Sequence, residues 1–256
     1  MLTANRSNIG RVRHVNEDHA WVGQLSGGLT YAIVADGMGG HQAGDVASKL
    51  AVDSFRNMLE RQHEKAEVSQ EEAKMLVRQA IAEANEKVYG MASRNERYHS
   101  MGTTVVAALL GGGSAVIGHV GDSRAYRISK EKLSLLTEDH SLVNELLKSG
   151  QLSYEEAANH PRKNVLTRAI GTDAHVDIDV QSLSWDAEDM LLLCSDGLTN
   201  MVSEEQILAV LAQESNDLGA KADQLIQQAL EAGGEDNVTV VLLQEAAGAK
   251  RKEEVV

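Results

Sequence analysis

Between Thr103 and Thr137 four strand-like runs follow one another almost without interruption: TTVVAALL (103–110), SAVIGHV (114–120), RAYRIS (124–129) and KLSLLT (132–137). The gaps are two or three residues long, and the GGG and KE between runs suit hairpin turns. A parallel sheet needs long crossovers between its strands, so this block predicts antiparallel pairing.

On either side of that block the apolar spacing changes to helical. Residues 44–60 carry Val46, Ala47, Leu50, Ala51, Phe55, Met58 and Leu59 on one stripe, and 69–94 repeat the pattern from Ala73 to Val88. A short helix is predicted at 141–149, then an irregular stretch over 151–175. MLLLCS (190–195) and NVTVVLLQ (237–244) read as strands, with helices at about 203–213 and 218–232 between them. Helices in pairs and strands in meanders predict the α+β class, with antiparallel sheets covered by helices. No repeat with a period of 20–50 residues and no Pro- or Ser-rich hinge is present, so one domain is expected over 1–245, followed by a frayed tail, 246–256.

Composition removes several functions. A formal charge of −14 argues against nucleic acid as a partner. No apolar run approaches the roughly 18 residues of a membrane span, so no membrane contact is expected. The opening MLTANRSNIGRVRHVNEDH has no apolar core of a secretory signal, and the lone Cys194 cannot form an internal disulfide. A cytoplasmic monomer is the expectation.

Acids stand at the ends of the predicted strands. Tyr31–Ala35 runs into Asp36 and a glycine-rich stretch, 114–120 into Asp122, and 190–195 into Asp196. Asp236 precedes the last strand, and Glu17-Asp18 precede Ala20-Trp21-Val22. Asp-Gly is a common hairpin signal, but Asp36 and Asp196 lead into helix-forming sequence and Asp236 follows a helix, so tight turns do not explain them. Clustered carboxylates repel, and a cation relieves the repulsion. Oxygen ligands select Mg²⁺ or Mn²⁺ over zinc. Gly37 offers a backbone carbonyl, and Gly39 and Gly40 make room for close approach.

The ordered segments RVRHVNED, VADGMGGH, SMGTT, HVGDSRAY, LTRAIG, LLLCSDGL and GGEDNVTV resemble the metal-dependent serine/threonine phosphatases of the protein phosphatase 2C type, most closely the compact bacterial members. The resemblance spans about residues 6 to 243. It implies a sandwich of two antiparallel sheets flanked by helix pairs, with a flap over about 145–175 beside the cleft. It implies two core metals, with Asp36 bridging them, the Gly37 carbonyl, Asp196 and Asp236 as further ligands, and Glu17 and Asp18 holding metal-bound waters. Asp122 with Asp196 would hold a third metal. A metal-bridging hydroxide would hydrolyse phosphoserine or phosphothreonine in proteins without a phosphoenzyme, and Arg13 would clamp the phosphate. A bacterial serine/threonine kinase and its substrates are the implied partners.

Many eukaryotic members place a histidine where this chain has Met38; His41 is then either a general acid or a support for the loop. His119 and His140 are expected to be hydrogen-bonded structural groups and Cys194 a buried thiol. His160, Arg162 and Lys163 in the flap either face acidic phosphopeptides or are solvated. Two other readings stay open: a binding module that keeps the fold without the chemistry, and a metallohydrolase of small phosphoesters.

Overall fold

A computed structural model describes residues 1–40, 43–62, 68–215 and 217–245. The strands are β1 (Leu2–Asn8), β2 (Asp18–Gln24), β3 (Thr30–Met38), β4 (Gly102–Thr103), β5 (Val105–Gly111), β6 (Ser114–Val120), β7 (Arg124–Ser129), β8 (Lys132–Leu135), β9 (Asp179–Ser184), β10 (Met190–Cys194) and β11 (Val238–Gln244). The helices are α1 (Ala43–Gln62), α2 (Gln70–Arg94), α3 (Leu142–Lys148), α4 (Tyr154–Ala158), α5 (Asp196–Thr199), α6 (Glu204–Leu211) and α7 (Leu218–Glu231). The proposed tail, 246–256, lies outside the described residues.

Two antiparallel sheets form, ordered β1-β11-β10-β7-β8 and β2-β3-β5-β6-β9, with β4 pairing to β3. Their sequences show why four layers result. In β3, Tyr31, Ile33 and Ala35 pack with α1 and α2, while Ala32 and Val34 join the core between the sheets. In β11, Val238, Val240 and Leu242 pack with α6 and α7, while Val241 and Leu243 turn inward. A strand buried on both faces must be apolar throughout, which is why these runs lack alternation. The result is the expected sandwich between helix pairs.

Local chemistry sets the boundaries. Ser69 and Glu72 form a reciprocal capping box that starts α2, and Ser203 with Gln206 does the same for α6. Lys130 and Glu131, with φ of 48° and 63°, make the two-residue turn between β7 and β8. The connection from β6 to β7 is different: Gly121-Asp122-Ser123 carries the chain from one sheet to the other. Asp122 therefore lies where the sheets approach at one rim.

Sequence pattern missed β1 and β9. Both are edge strands, and only Ala4 of β1 is buried. The stretch read as irregular, 151–175, contains α4, which Ser153 and Glu156 cap.

Candidate metal centre

The strand register brings the first acids together. Asp18 lies directly opposite Asp36 in the β2–β3 pair. Like charges in that relation destabilise a sheet. Asp196 opens α5 two residues after the end of β10, Asp236 sits two residues before β11, and Asp122 comes from the crossing between sheets. Glu17, Asp36, Gly37, Asp122, Asp196 and Asp236 all line one cavity of about 220 Å³, with Arg13 at its edge. Asp18, paired with Asp36 in the strand register, is buried at 4% exposure.

The electrostatics show how badly these charges are matched within the chain. Burial, aided by repulsion from Asp18, Asp196 and Asp122, pushes the Asp36 carboxyl well above its ordinary range. Burial raises Asp18 to about 7 against hydrogen bonds from Thr239 and Ser195, and raises Asp122 to about 8, with Asp196 adding repulsion. Asp196 and Glu17 are also raised, chiefly by burial. Glu17 Oε1, Asp18 Oδ1 and Asp196 Oδ1 have no hydrogen-bond partner among the described residues. Buried carboxylate oxygens are rarely left so. Among the described residues, Arg13 Nη2 donates to Asp236 Oδ2 at 2.7 Å, and the charge of Arg124 acts on Asp122. An all-oxygen set of unpaired acids fits a hard divalent cation.

Neutral residues hold these acids in place. Thr104 N–H donates to the Asp36 carbonyl, Thr104 Oγ1 accepts from Asp36 N–H, and Thr103 Oγ1 also donates to the Asp36 carbonyl. Thr104 Oγ1 further bonds Ser123 Oγ at 2.7 Å, next to Asp122. Ser195 Oγ donates to Asp18 Oδ2 at 2.7 Å and accepts from Thr239 N–H. Asn237, 5% exposed, uses its whole amide: Oδ1 accepts from Glu17 N–H, and Nδ2 donates to the carbonyls of Ile9 and Val15. It thereby ties the loop carrying Arg13 to the start of β11. Sequence reading quoted the motifs containing Thr103, Thr104, Ser195 and Asn237 but gave these residues no role. For Ser195 and Asn237 the available signal is a polar side chain beside an acid at the end of an apolar strand; Thr103 and Thr104 have no acid beside them in the sequence.

Gly37 is needed for a reason beyond an accessible carbonyl. A Cβ there would stand 2.1 Å from the Gly44 carbonyl oxygen and 2.7 Å from that of Glu17, so the start of α1 could not pack. Gly39, at φ +131°, adopts backbone that L side chains rarely enter. His41 lies outside the described residues.

A second group also gathers metal-type ligands. One ligand atom each from His119, His140 and Asp179 falls within a 4.8 Å span. These atoms are already engaged. His140 Nδ1 accepts from Gly121 N–H at 3.1 Å, and Arg168 Nη1 stands 3.2 Å from both His140 Nε2 and Asp179 Oδ1. His119 Nε2 faces the backbone of Glu138 at 2.9 Å, and the two rings stack. This group fastens residues 138–140 to the end of β6 and carries its own cation.

A family model for protein phosphatase 2C matches residues 9–232. The chain belongs to the protein phosphatase 2C family. It is 44% identical over 243 residues to the serine/threonine phosphatase stp of Listeria monocytogenes, covering 93% of this chain and 94% of that one. Among solved structures, the Streptococcus agalactiae serine/threonine phosphatase superposes with a TM-score of 0.89 at 38% identity, covering 96% of this chain and 99% of that one. The catalytic domain of the serine/threonine protein phosphatase PstP, solved in complex with two manganese ions, gives 0.81 at 32% identity, with coverage of 94% and 96%. The fold and family expected from the ordered motifs are those observed. No helix among the described residues is long and apolar enough to cross a membrane.

Proposed function

We propose that this chain hydrolyses phosphoserine and phosphothreonine in proteins, using Mn²⁺ or Mg²⁺ at the carboxylate centre. The carrying observation is the convergence of Asp18, Asp36, Asp122, Asp196 and Asp236 without enough internal cations to match them. Family membership and the phosphatases it resembles supply the reaction class. Asp36, the Gly37 carbonyl, Asp196 and Asp236 would hold two cations directly, Glu17 and Asp18 would steady their waters, and Asp122 with Asp196 would hold a third.

Bound cations supply charge neutralisation and a water acidic enough to attack phosphorus at neutral pH. The chain's own residues do the rest. Arg13, exposed and resting on Asp236, can turn its planar guanidinium to two phosphate oxygens at once. Gly39 and Gly40 line the cavity and bring no side chain into it. His41 either protonates the leaving alkoxide or supports its loop.

No covalent phosphoenzyme is needed, and the thiol and hydroxyl just before Asp196 are poorly suited as nucleophiles. Burial pushes the Cys194 thiol up to about 12, and the Ser195 hydroxyl is committed to Asp18. We place this activity in the cytoplasm, carried out by a monomer opposing a bacterial serine/threonine kinase.

The test is phosphate release from a phosphothreonine peptide with Mn²⁺, with EDTA and a nucleotide substrate in parallel. Turnover lost on chelation, and lost in Asp36→Asn and Asp196→Asn, is the expected result. No turnover by folded, metal-loaded wild type would overturn the reading.

A further inference from the structure

A second cavity, of about 580 Å³, opens from the carboxylate centre on its flap side. Asp122, Asn164 and Asp196 line both spaces. Leu135 of β8 and Tyr154 of α4 face this second cavity while 44% and 87% exposed, and α3 beside them buries none of its residues. Single exposed apolar side chains need no explanation, but apolar surface gathered in a concave wall beside a reaction centre marks a binding site.

The charges on that wall are not equivalent. Asp139 is held by Arg124 through paired contacts of 2.9 and 2.7 Å, and Glu138 is matched by Lys148. Glu204, in the first turn of α6, has no ion pair among the described residues. Of the flap's basic cluster, Lys163 lines the cavity and His160 and Arg162 do not.

We propose that this cavity binds the polypeptide on one side of the phosphoresidue, taking an apolar side chain against Leu135 and Tyr154 and a basic one opposite Glu204. The inference rests on the phosphatase reading above. The centre's own cavity has room for a phosphate and the side chain bearing it, so the flanking chain must leave along an adjoining wall. Among the cavities bounded by described residues, this one shares side chains of the centre. A second copy of the chain is a poorer occupant, because each copy carries a charge of −14.

The experiment compares kcat/KM for phosphothreonine peptides with leucine or glycine, and with arginine or glutamate, scanned through the flanking positions on each side. Ratios are taken within each enzyme, so a general loss of activity cancels. Wild type is expected to prefer the leucine peptide by about tenfold at one position and the arginine peptide by about threefold at a position on the same side. Tyr154→Ser and Leu135→Ser should bring the first ratio toward one, and Glu204→Gln the second. Ratios of one in wild type, or ratios that these exposed substitutions leave unchanged, would overturn the proposal. Wild-type turnover of p-nitrophenyl phosphate, which has no flanking chain, separates the two failures: without it the phosphatase reading itself falls.

Discussion

Two clusters in this molecule gather ligand-type side chains, and they differ in what surrounds those atoms. His119, His140 and Asp179 lie close together but are bonded to backbone groups and to Arg168. Among the described residues, three oxygens of the acids around Asp36 lack partners, and Arg13, the guanidinium bonded to Asp236, is exposed. The pKa shifts separate the clusters too. Burial is the largest single effect on Asp179 and raises it, but the hydrogen bond from His140 together with the charges of His140, His119 and Arg168 outweighs burial, so Asp179 is lowered. Asp18, Asp36 and Asp122 are raised. Proximity alone therefore does not identify a metal centre. An unmet charge does, because only there does a cation from solution relieve a cost the fold already carries.

The largest effect expected from this contrast is in Asp36→Asn. Its Mn²⁺-dependent phosphate release should fall by about a thousandfold, equivalent to roughly 4 kcal/mol. Its metal-free melting temperature should be no lower than wild type, since one of two opposed carboxylates is gone. A marked loss of metal-free stability would show that Asp36 is matched inside the chain after all.

Next comes pH. Raised carboxyls keep protons in the folded chain that the unfolded chain gives up near pH 3.8. Stability from this source is therefore present at acid pH and is lost as pH rises through about 7 and 8. Denaturant melts of metal-free protein should weaken by a few kcal/mol, on the order expected for such shifts, between about pH 4 and 8. Saturating Mn²⁺ should remove that decline. A metal-free curve rising over the same range would contradict the arrangement.

Asn237→Ala should cost about 2 kcal/mol of stability, because it strands Glu17 N–H and two carbonyls. It should also raise the KM for phosphopeptide by more than it lowers kcat, since the Arg13 loop loses its tie. Equal changes would argue against that division. In the histidine cluster, His140→Ala should cost about 2 kcal/mol through the unpaired Gly121 N–H while leaving Mn²⁺ affinity within about threefold. Abolished Mn²⁺ binding would reverse the comparison between the clusters.

Glu131→Gly gives the smallest effect. At φ 63° a glycine relieves strain of about 1 kcal/mol, seen as a higher melting temperature with unchanged turnover.

Much of this is legible in the sequence. Apolar strands ending on acids announced the rim, and helical stripes announced α1, α2, α6 and α7. What escaped was what pattern does not encode. β1 and β9 are edge strands with one face in water, so backbone pairing rather than apolar alternation makes them strands. Thr104, Ser195 and Asn237 act through backbone groups distant in sequence, as when Asn237 reaches Ile9. The flap's basic residues drew attention to acidic peptides, whereas the cavity wall also carries Leu135, Tyr154 and Glu204.

The deciding measurement is calorimetric titration of Mn²⁺ into metal-free wild type, Asp36→Asn and Asp179→Asn. Wild type and Asp179→Asn should bind at least two ions alike, and Asp36→Asn should lose the tight sites. Undiminished binding by Asp36→Asn, or its loss in Asp179→Asn, would contradict the assignment of the metal centre to the rim acids.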